Sequence, residues 1–296
     1  MVSHILSLNF IEQNGRSREK RAHHTGLTRG MPETTDSGQR SATDLRHAFV
    51  SVAHMKTKTF LSAEWRYLVM LNYEIDPAIL QPLAPRGTEL DFWQGRTYVS
   101  EVGFRFLNTR LLGVPIPFHQ NFDEINLRFY VRRKASDGWR RGVVFVKEIV
   151  PRWAIATVAR VVYNERYVAR RMKHRLDLQG TALAANGGVE YAWQDGAAWH
   201  RLKAQTHGEA LPLQDGSEEE FITEHYWGYA AQRDGGTVEY QVEHPRWRVW
   251  QVNDAQLDCD VARVYGSQFV ECLSQKPTSA FVADGSEIIV RKGVRI

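Results

Sequence analysis

His244 stands in Glu243-His244-Pro245, at the end of a run that reads as a strand, where Pro245 pins the chain and an imidazole can serve as a general base. A lone histidine at a strand end also serves as an ordinary hydrogen-bonding group, and both readings stand. Lys147 is the second chemistry-bearing residue: in VFVKEIV (144–150) it alternates with Phe145 and Ile149, and Glu148 points to the opposite face. Turned inward it would be a nucleophilic amine; on an edge strand it faces solvent. His200 and His207 lie in a strand and its exit with no acid at ligand spacing. The chain contains no H-E-x-x-H, G-x-x-x-x-G-K-[ST], G-x-S-x-G or G-x-G-x-x-G, so the residues imply no metal, nucleotide or serine-hydrolase chemistry and no cofactor.

The elements that would position these residues are mostly strands. Tyr67–Ile75 and Thr97–Phe106 have strand patterns. Ile125–Val131 and Gly142–Ile149 pair across Ser136-Asp137-Gly138, Val189–Trp193 and Trp199–Gln205 across Asp195-Gly196, and Tyr226–Ala231 and Val238–Val242 across Asp234-Gly235-Gly236. Trp247–Val252 and Ile288–Arg291 are late strands. Asp76-Pro77 opens a short helix through Leu83, and Ser217-Glu218-Glu219-Glu220 forms a capping box for another. Ile155–Lys173 is the one long helical candidate, with Ile155, Val158, Ala159 and Val162 on one face. Many hairpins with few helices predict an α+β fold built on a large, mostly antiparallel sheet or barrel.

Composition narrows the classes. Hydrophobic content of 43% and charged content of 24% suit a globular chain, and no run approaches the 18 or so apolar residues of a membrane span. The net charge is +4, and Lys and Arg are scattered, which argues against nucleic acid. Arg132-Arg133-Lys134 and Arg140-Arg141 flank a turn and read as a solvated hairpin tip; the Arg166–Arg175 cations read as a helix end. Cys259 and Cys272 form no disulfide framework or zinc pattern and read as buried thiols, which points to the cytoplasm. The abundant Trp and Tyr after residue 57 would pack the sheet and line an apolar cavity.

Residues 1–54 differ: none of the nine Trp or eleven Tyr lies there, and the stretch is polar and rich in Ser, Thr and Gly. It reads as a disordered or mis-annotated N-terminal extension, followed by one domain over 55–296.

Four segments in order, together with a near-match over 159–172, carry a family resemblance. Tyr73-Glu74-Ile75-Asp76-Pro77 with Leu80, Leu83-Ala84-Pro85 and Gly87, and the strand NFDEINLRFYV (121–131), resemble the acetoacetate-decarboxylase-like superfamily. EFITEHYWGY (220–229) and VEHPRWRVW (242–250) resemble its narrower YqjF-like branch, domain-of-unknown-function family 2071. ARVVYNERYVARRM (159–172) resembles the decarboxylase catalytic segment. On that alignment Arg160 matches its arginine, Tyr163 its aromatic, and Tyr167 and Val168 replace its two lysines. The resemblance further implies that Arg66 takes the active-site arginine position and Glu124 the glutamate. A tyrosine forms no imine, so the implied chemistry is acid–base: Arg66 binding substrate alongside Arg160 and His244, Glu124 moving a proton, Tyr167 donating to an oxyanion. Lys147 could stand in for the nucleophile from a neighbouring strand. Two further readings remain open: a non-catalytic barrel that binds or senses a small ligand, and an Arg66–Glu124 ion pair that only braces the fold. A homo-oligomer is compatible with either. Because Met55 opens a sequence with the character of a domain start, the intact mass of the natively expressed protein is expected to match a chain beginning at Met55.

Overall fold

The computed structural model describes residues 58–151 and 167–296. The long strands of the first half are β1 (Thr59–Ile75), β3 (Thr97–Leu111), β5 (Phe122–Ala135) and β6 (Gly138–Val150), with two-residue strands β2 (Glu89–Leu90) and β4 (Val114–Pro115) beside them. Four short strands follow: β7 (Tyr167–Ala169), β8 (Met172–Leu176), β9 (Leu178–Gln179) and β10 (Ala182–Leu183). The second half holds β11 (Gly188–Asp195), β12 (Ala198–Pro212), β13 (Trp227–Ala231), β14 (Thr237–Glu243), β15 (Arg248–Asp258), β16 (Ser279–Arg291) and β17 (Val294–Arg295). All but β9 and β10 belong to one sheet. The path β14-β13-β6-β5-β3-β1-β16 closes into a ring, because Val242 and Glu243 of β14 pair with Val290 and Ile289 of β16. From β16 an arm continues through β15, β12, β11 and β8. Pairing is antiparallel except where β6 meets β13 and β7. The fold is thus α+β and largely antiparallel, as expected.

Both faces of the ring strands are buried. Along β5, Ile125, Leu127, Phe129 and Val131 join Tyr191, Trp193 and Leu202 of the arm in the larger core. The alternate residues Phe122 and Tyr130 join Met70, Phe104, Trp247 and Phe281 in a smaller core, and between them on that face stand Glu124, Asn126 and Arg128. Two-sided burial normally gives a continuous apolar strand. Three polar residues on one buried face therefore mark β5 as the strand where stability was traded for something else.

Local signals behave as the sequence predicts at the three hairpins and at both helix caps. Asp76 accepts from the Ala78 amide at 2.8 Å, and Ser217 Oγ from the Glu220 amide at 3.1 Å. The Glu220 carboxylate reaches the Gly216 amide (2.6 Å), one residue before the bond of an ordinary capping box.

Three expectations are corrected. Of the helix predicted over Ile155–Lys173, the part within the described residues is strand: Tyr167–Ala169 pairs with Glu148–Val150, and Met172–Leu176 with β11. Tertiary pairing at open sheet edges overrides the local helical pattern there, so the cations from Arg170 to Arg175 do not form a helix end; Arg170 bonds Asp195 instead. The cations of the β5–β6 hairpin are not simply solvated. Arg133 and Arg140 both pair with the buried Glu239, Arg141 pairs with the buried Asp91, and Arg132 lies over Trp139. Lastly, a bulge between Leu127 and Arg128 makes Lys147 pair with Leu127 but Phe145 with Arg128. The extra residue, Val146, breaks the alternation, so Lys147 shares Ile149's face and not Phe145's.

Neither cysteine is in a disulfide. Among the described residues no helix is long and apolar enough to cross a membrane. One buried acid lies in the larger core: Glu101 receives the Tyr265 hydroxyl at 2.5 Å, and burial pushes its pKa up to about 8. The folded state holds this proton while the unfolded chain has released it, so stability contributed below about pH 4.5 is lost as pH rises towards 8. Urea unfolding of Glu101→Gln against the parent across this range is expected to show that this loss disappears, leaving the variant more stable at pH 8 by on the order of 1–3 kcal/mol.

Candidate functional site

The polar residues of the smaller-core face fall into rows across the sheet. One row runs Met70–Val102–Asn126–Glu148–Tyr167, through β1, β3, β5, β6 and β7. The next row towards the β5 start pairs Phe104 with Glu124, and the row on the other side holds Asn72, Ser100, Arg128 and Phe145. Glu124, Asn126 and Glu148 are each no more than 2% exposed. Tyr167 reaches across β6 to donate its hydroxyl to Glu124 Oε2 at 3.3 Å, and Asn126 Nδ2 donates to Glu124 Oε1 at 3.0 Å. The two residues named as catalytic from sequence therefore meet. Glu148, expected to point away, lies on the strand between theirs and in the row of Tyr167, because the β6 bulge exchanges its face with that of Lys147.

Arg66 does not join them. Its guanidinium donates twice to Glu64 Oε2 (2.7 and 2.9 Å) and once to the Gly285 carbonyl. Trp65, one residue before, packs edge-on against Phe104 and Phe106 of the smaller core, so Arg66 projects from the other face. The alternative of an Arg66–Glu124 brace is overturned by the same geometry. Lys147 is equally remote: its ammonium bonds the Val264 carbonyl and lies over the Tyr265 ring in the larger core. Arg160 lies outside the described residues. His244 stacks between Trp247 (4.3 Å between centroids) and Tyr226 (4.7 Å), with Nδ1 on the Pro245 carbonyl at 2.9 Å. Burial, with a smaller push from the nearby Arg128 charge, lowers its pKa to about 4. It is a neutral imidazole at neutral pH, close enough to Arg128 to feel its charge.

Two arrangements escaped the sequence reading. Arg128 is 8% exposed, and its bonds go to the Ile222 carbonyl and the Met70 sulfur. The second is on the opposite face, where Asp123 accepts from or shares a proton with His174 Nδ1 at 2.9 Å and pairs with Arg105 at 3.3 Å, beside a cleft of about 350 Å³ also lined by Arg171 and Met172. Strand alternation on β5 could have signalled both: Asp123, Glu124, Asn126 and Arg128 interrupt an otherwise apolar strand. A larger hollow of about 500 Å³ lies at the far end of β1 and is lined by none of the residues proposed from sequence. Among the described residues, no group of His, Cys, Asp and Glu is arranged to hold a metal ion.

Comparison with known proteins agrees with the fold. Residues 62–287 match the model of domain-of-unknown-function family 2071, described as an uncharacterized conserved protein. A curated relative is the uncharacterized protein YqjF of Bacillus subtilis, 35% identical over 75 residues; the match covers 25% of this chain and 31% of that protein. Among solved structures, the acetoacetate decarboxylase of Legionella pneumophila superposes with a TM-score of 0.55 at 14% identity, covering 87% of this chain and 98% of that one. An acetoacetate decarboxylase-like enzyme from Sphingomonas wittichii gives 0.58 at 12% identity, covering 80% and 93%. The enduracididine biosynthesis enzyme MppR, complexed with pyruvate, gives 0.57 at 11% identity, covering 82% and 93%. At these identities the likeness is one of fold.

His225, like His244, has its pKa lowered to about 4 by burial, although it also bonds Asp91 at 3.2 Å. Both imidazoles are neutral when folded and protonated in the unfolded chain between about pH 4 and 6.5, so the stability present above pH 6.5 is lost as pH falls through that window. Two-dimensional NMR titration is expected to show both rings neutral at pH 5. His225→Gln should reduce the acid-side loss of stability by about 3 kcal/mol at most.

Proposed function

We propose that this chain, which belongs to the uncharacterized domain-of-unknown-function family 2071, is an enzyme that performs acid–base chemistry on a small oxo- or carboxylate-bearing compound without an imine-forming lysine. The observation that carries the reading is the part-buried Tyr167–Glu124 hydrogen bond. In a substrate with a carbonyl group, the Glu124 carboxylate takes a proton from the carbon beside the carbonyl. The C–H electron pair becomes the enolate, and the Tyr167 hydroxyl donates to the oxygen on which charge develops. Return of the proton from Glu124 to a neighbouring carbon completes an isomerisation; if Glu124 first trades that proton with water, return to the same carbon completes an exchange. Glu148, in the row of Tyr167, is a second carboxyl through which the proton can pass.

Two further points support the reading. Lys147 is turned into the opposite core, which leaves the site to oxygen acids and bases. A protein of the same fold has been solved with pyruvate, a small 2-oxo acid. On this reading the partner is a small molecule met in the cytoplasm, not nucleic acid or membrane, and residues 55–296 form the active domain. A ligand-binding or sensing role without turnover is the second reading. It is favoured by the ring cluster of Trp65, Phe104, Phe106 and Phe122 on the same face, which would offer a ligand an apolar wall.

Proton NMR in deuterium oxide tests the chemistry: the wild type is expected to exchange the methyl protons of pyruvate above the buffer rate. Glu124→Gln should lose this by at least a hundredfold and Tyr167→Phe by about ten- to a hundredfold. Binding without exchange selects the second reading. Borohydride added with acetoacetate should leave the protein mass unchanged; a covalent adduct on Lys147 overturns the lysine-free mechanism.

A further inference from the structure

The smaller core contains a cation that no carboxylate among the described residues neutralises. Arg128 is more than nine-tenths buried, yet no carboxylate among the described residues lies within ion-pair distance of it. Its Nη2 is satisfied by the Ile222 carbonyl (3.3 Å) and a long contact to the Met70 sulfur (3.9 Å). Nε is fully enclosed and has no partner at all. Among the described residues Nη1 has no acceptor either. The neighbours add no negative charge: Tyr130 presents its ring at 5.7 Å, and His225 and His244 are near enough to feel the guanidinium's charge and are themselves neutral. Burying an arginine without a counter-ion is strongly unfavourable, and chains avoid it unless something else supplies the anion.

Arg128 stands in the row of Asn72 and Ser100, next to the row of Asn126, Glu148 and Tyr167 and on the same face of the sheet as Glu124. With Nη2 held by Ile222 and Met70, Nε and Nη1 are the donors left for an anion, and a carboxylate oxygen is a fitting acceptor for a guanidinium N–H.

We infer that Arg128 is the carboxylate anchor of this site, holding the acid group of a small 2-oxo acid so that its carbonyl end lies towards Tyr167 and Glu124. This rests on the acid–base reading for the choice of ligand, and it moves the anchoring role away from Arg66, which is bonded to Glu64 on the other face.

Titration of the full chain with pyruvate and with its neutral amide, pyruvamide, tests the assignment. The wild type should bind pyruvate at least tenfold more tightly than pyruvamide. Arg128→Met should erase that preference and melt at or above the parent temperature, because an uncompensated buried charge is gone. Arg66→Met should keep the preference. The anchor is overturned if the wild type has no preference, if Arg128→Met retains it, or if Arg66→Met is the variant that loses it. Should Arg128→Met not fold, Arg128→Lys decides. A tenfold or greater loss of pyruvate affinity with a native circular-dichroism spectrum supports the fork, and parent-like affinity overturns it. Methyl-proton exchange separates this inference from the one beneath it. Exchange that survives in Arg128→Met with pyruvate preference intact removes only the anchor. An Arg128-dependent preference without any exchange removes only the catalytic reading.

Discussion

The close approach of β1 and β16 at Trp65 and Gly285 governs which side chains the two cores receive. Tyr67 takes a left-handed backbone conformation (φ 58°), and the β1–β3 register shifts between Arg66 and Val69. Across the ladder Gly285 also has a positive φ, and a side chain there would begin 2.0 Å from the Trp65 carbonyl oxygen. Only glycine permits this contact, and the contact fixes the bulge. Before it, Ala63 and Trp65 face the smaller core; after it, Leu68 and Met70 do. Arg66 and Tyr67 consequently share the opposite face. A regular strand through the same residues would exchange every later side chain of β1 between the cores.

The second bulge, in β6, acts in the same way on the other flank of β5. It turns Lys147 into the larger core and Glu148 into the smaller one. Together the two irregular strands leave β5 and its neighbours presenting carboxylates, an amide, a tyrosine and one arginine on a face otherwise made of aromatic and aliphatic groups. Such a face costs stability, since each buried polar group gives up its hydrogen bonds to water. The hairpin tip shows the contrast: its buried Glu239 is matched by two arginines, Arg133 and Arg140. Ion pairing is thus complete where the role is structural and incomplete beside Arg128.

Much of the architecture was legible residue by residue. Asp-Gly and Gly-Gly turns located three hairpins because those dipeptides accept positive φ, and Asp76 and Ser217 located helix starts because their side chains satisfy free amides. The meeting of Glu124 with Tyr167 followed from ordered motifs. The described end of the predicted long helix was misread, since the sheet edges that capture Tyr167–Ala169 and Met172–Leu176 are supplied by strands distant in sequence. Asp123 and His174 went unnoticed for a related reason: they lie on β5 and β8, and neither segment announces the other.

The sequence by itself determined the strand-rich α+β class, the hairpin pairings, the caps and the absence of a lysine at position 167. These depend on short-range rules of backbone geometry and side-chain chemistry. Only the tertiary structure decided which face each residue meets. Alternation has a period of two, and one inserted residue reverses it for everything beyond. For that reason Arg66, plausible in sequence, stands with Glu64 on the far side of the sheet, while Arg128, unremarked in sequence, stands on the face that holds Glu124 and Tyr167.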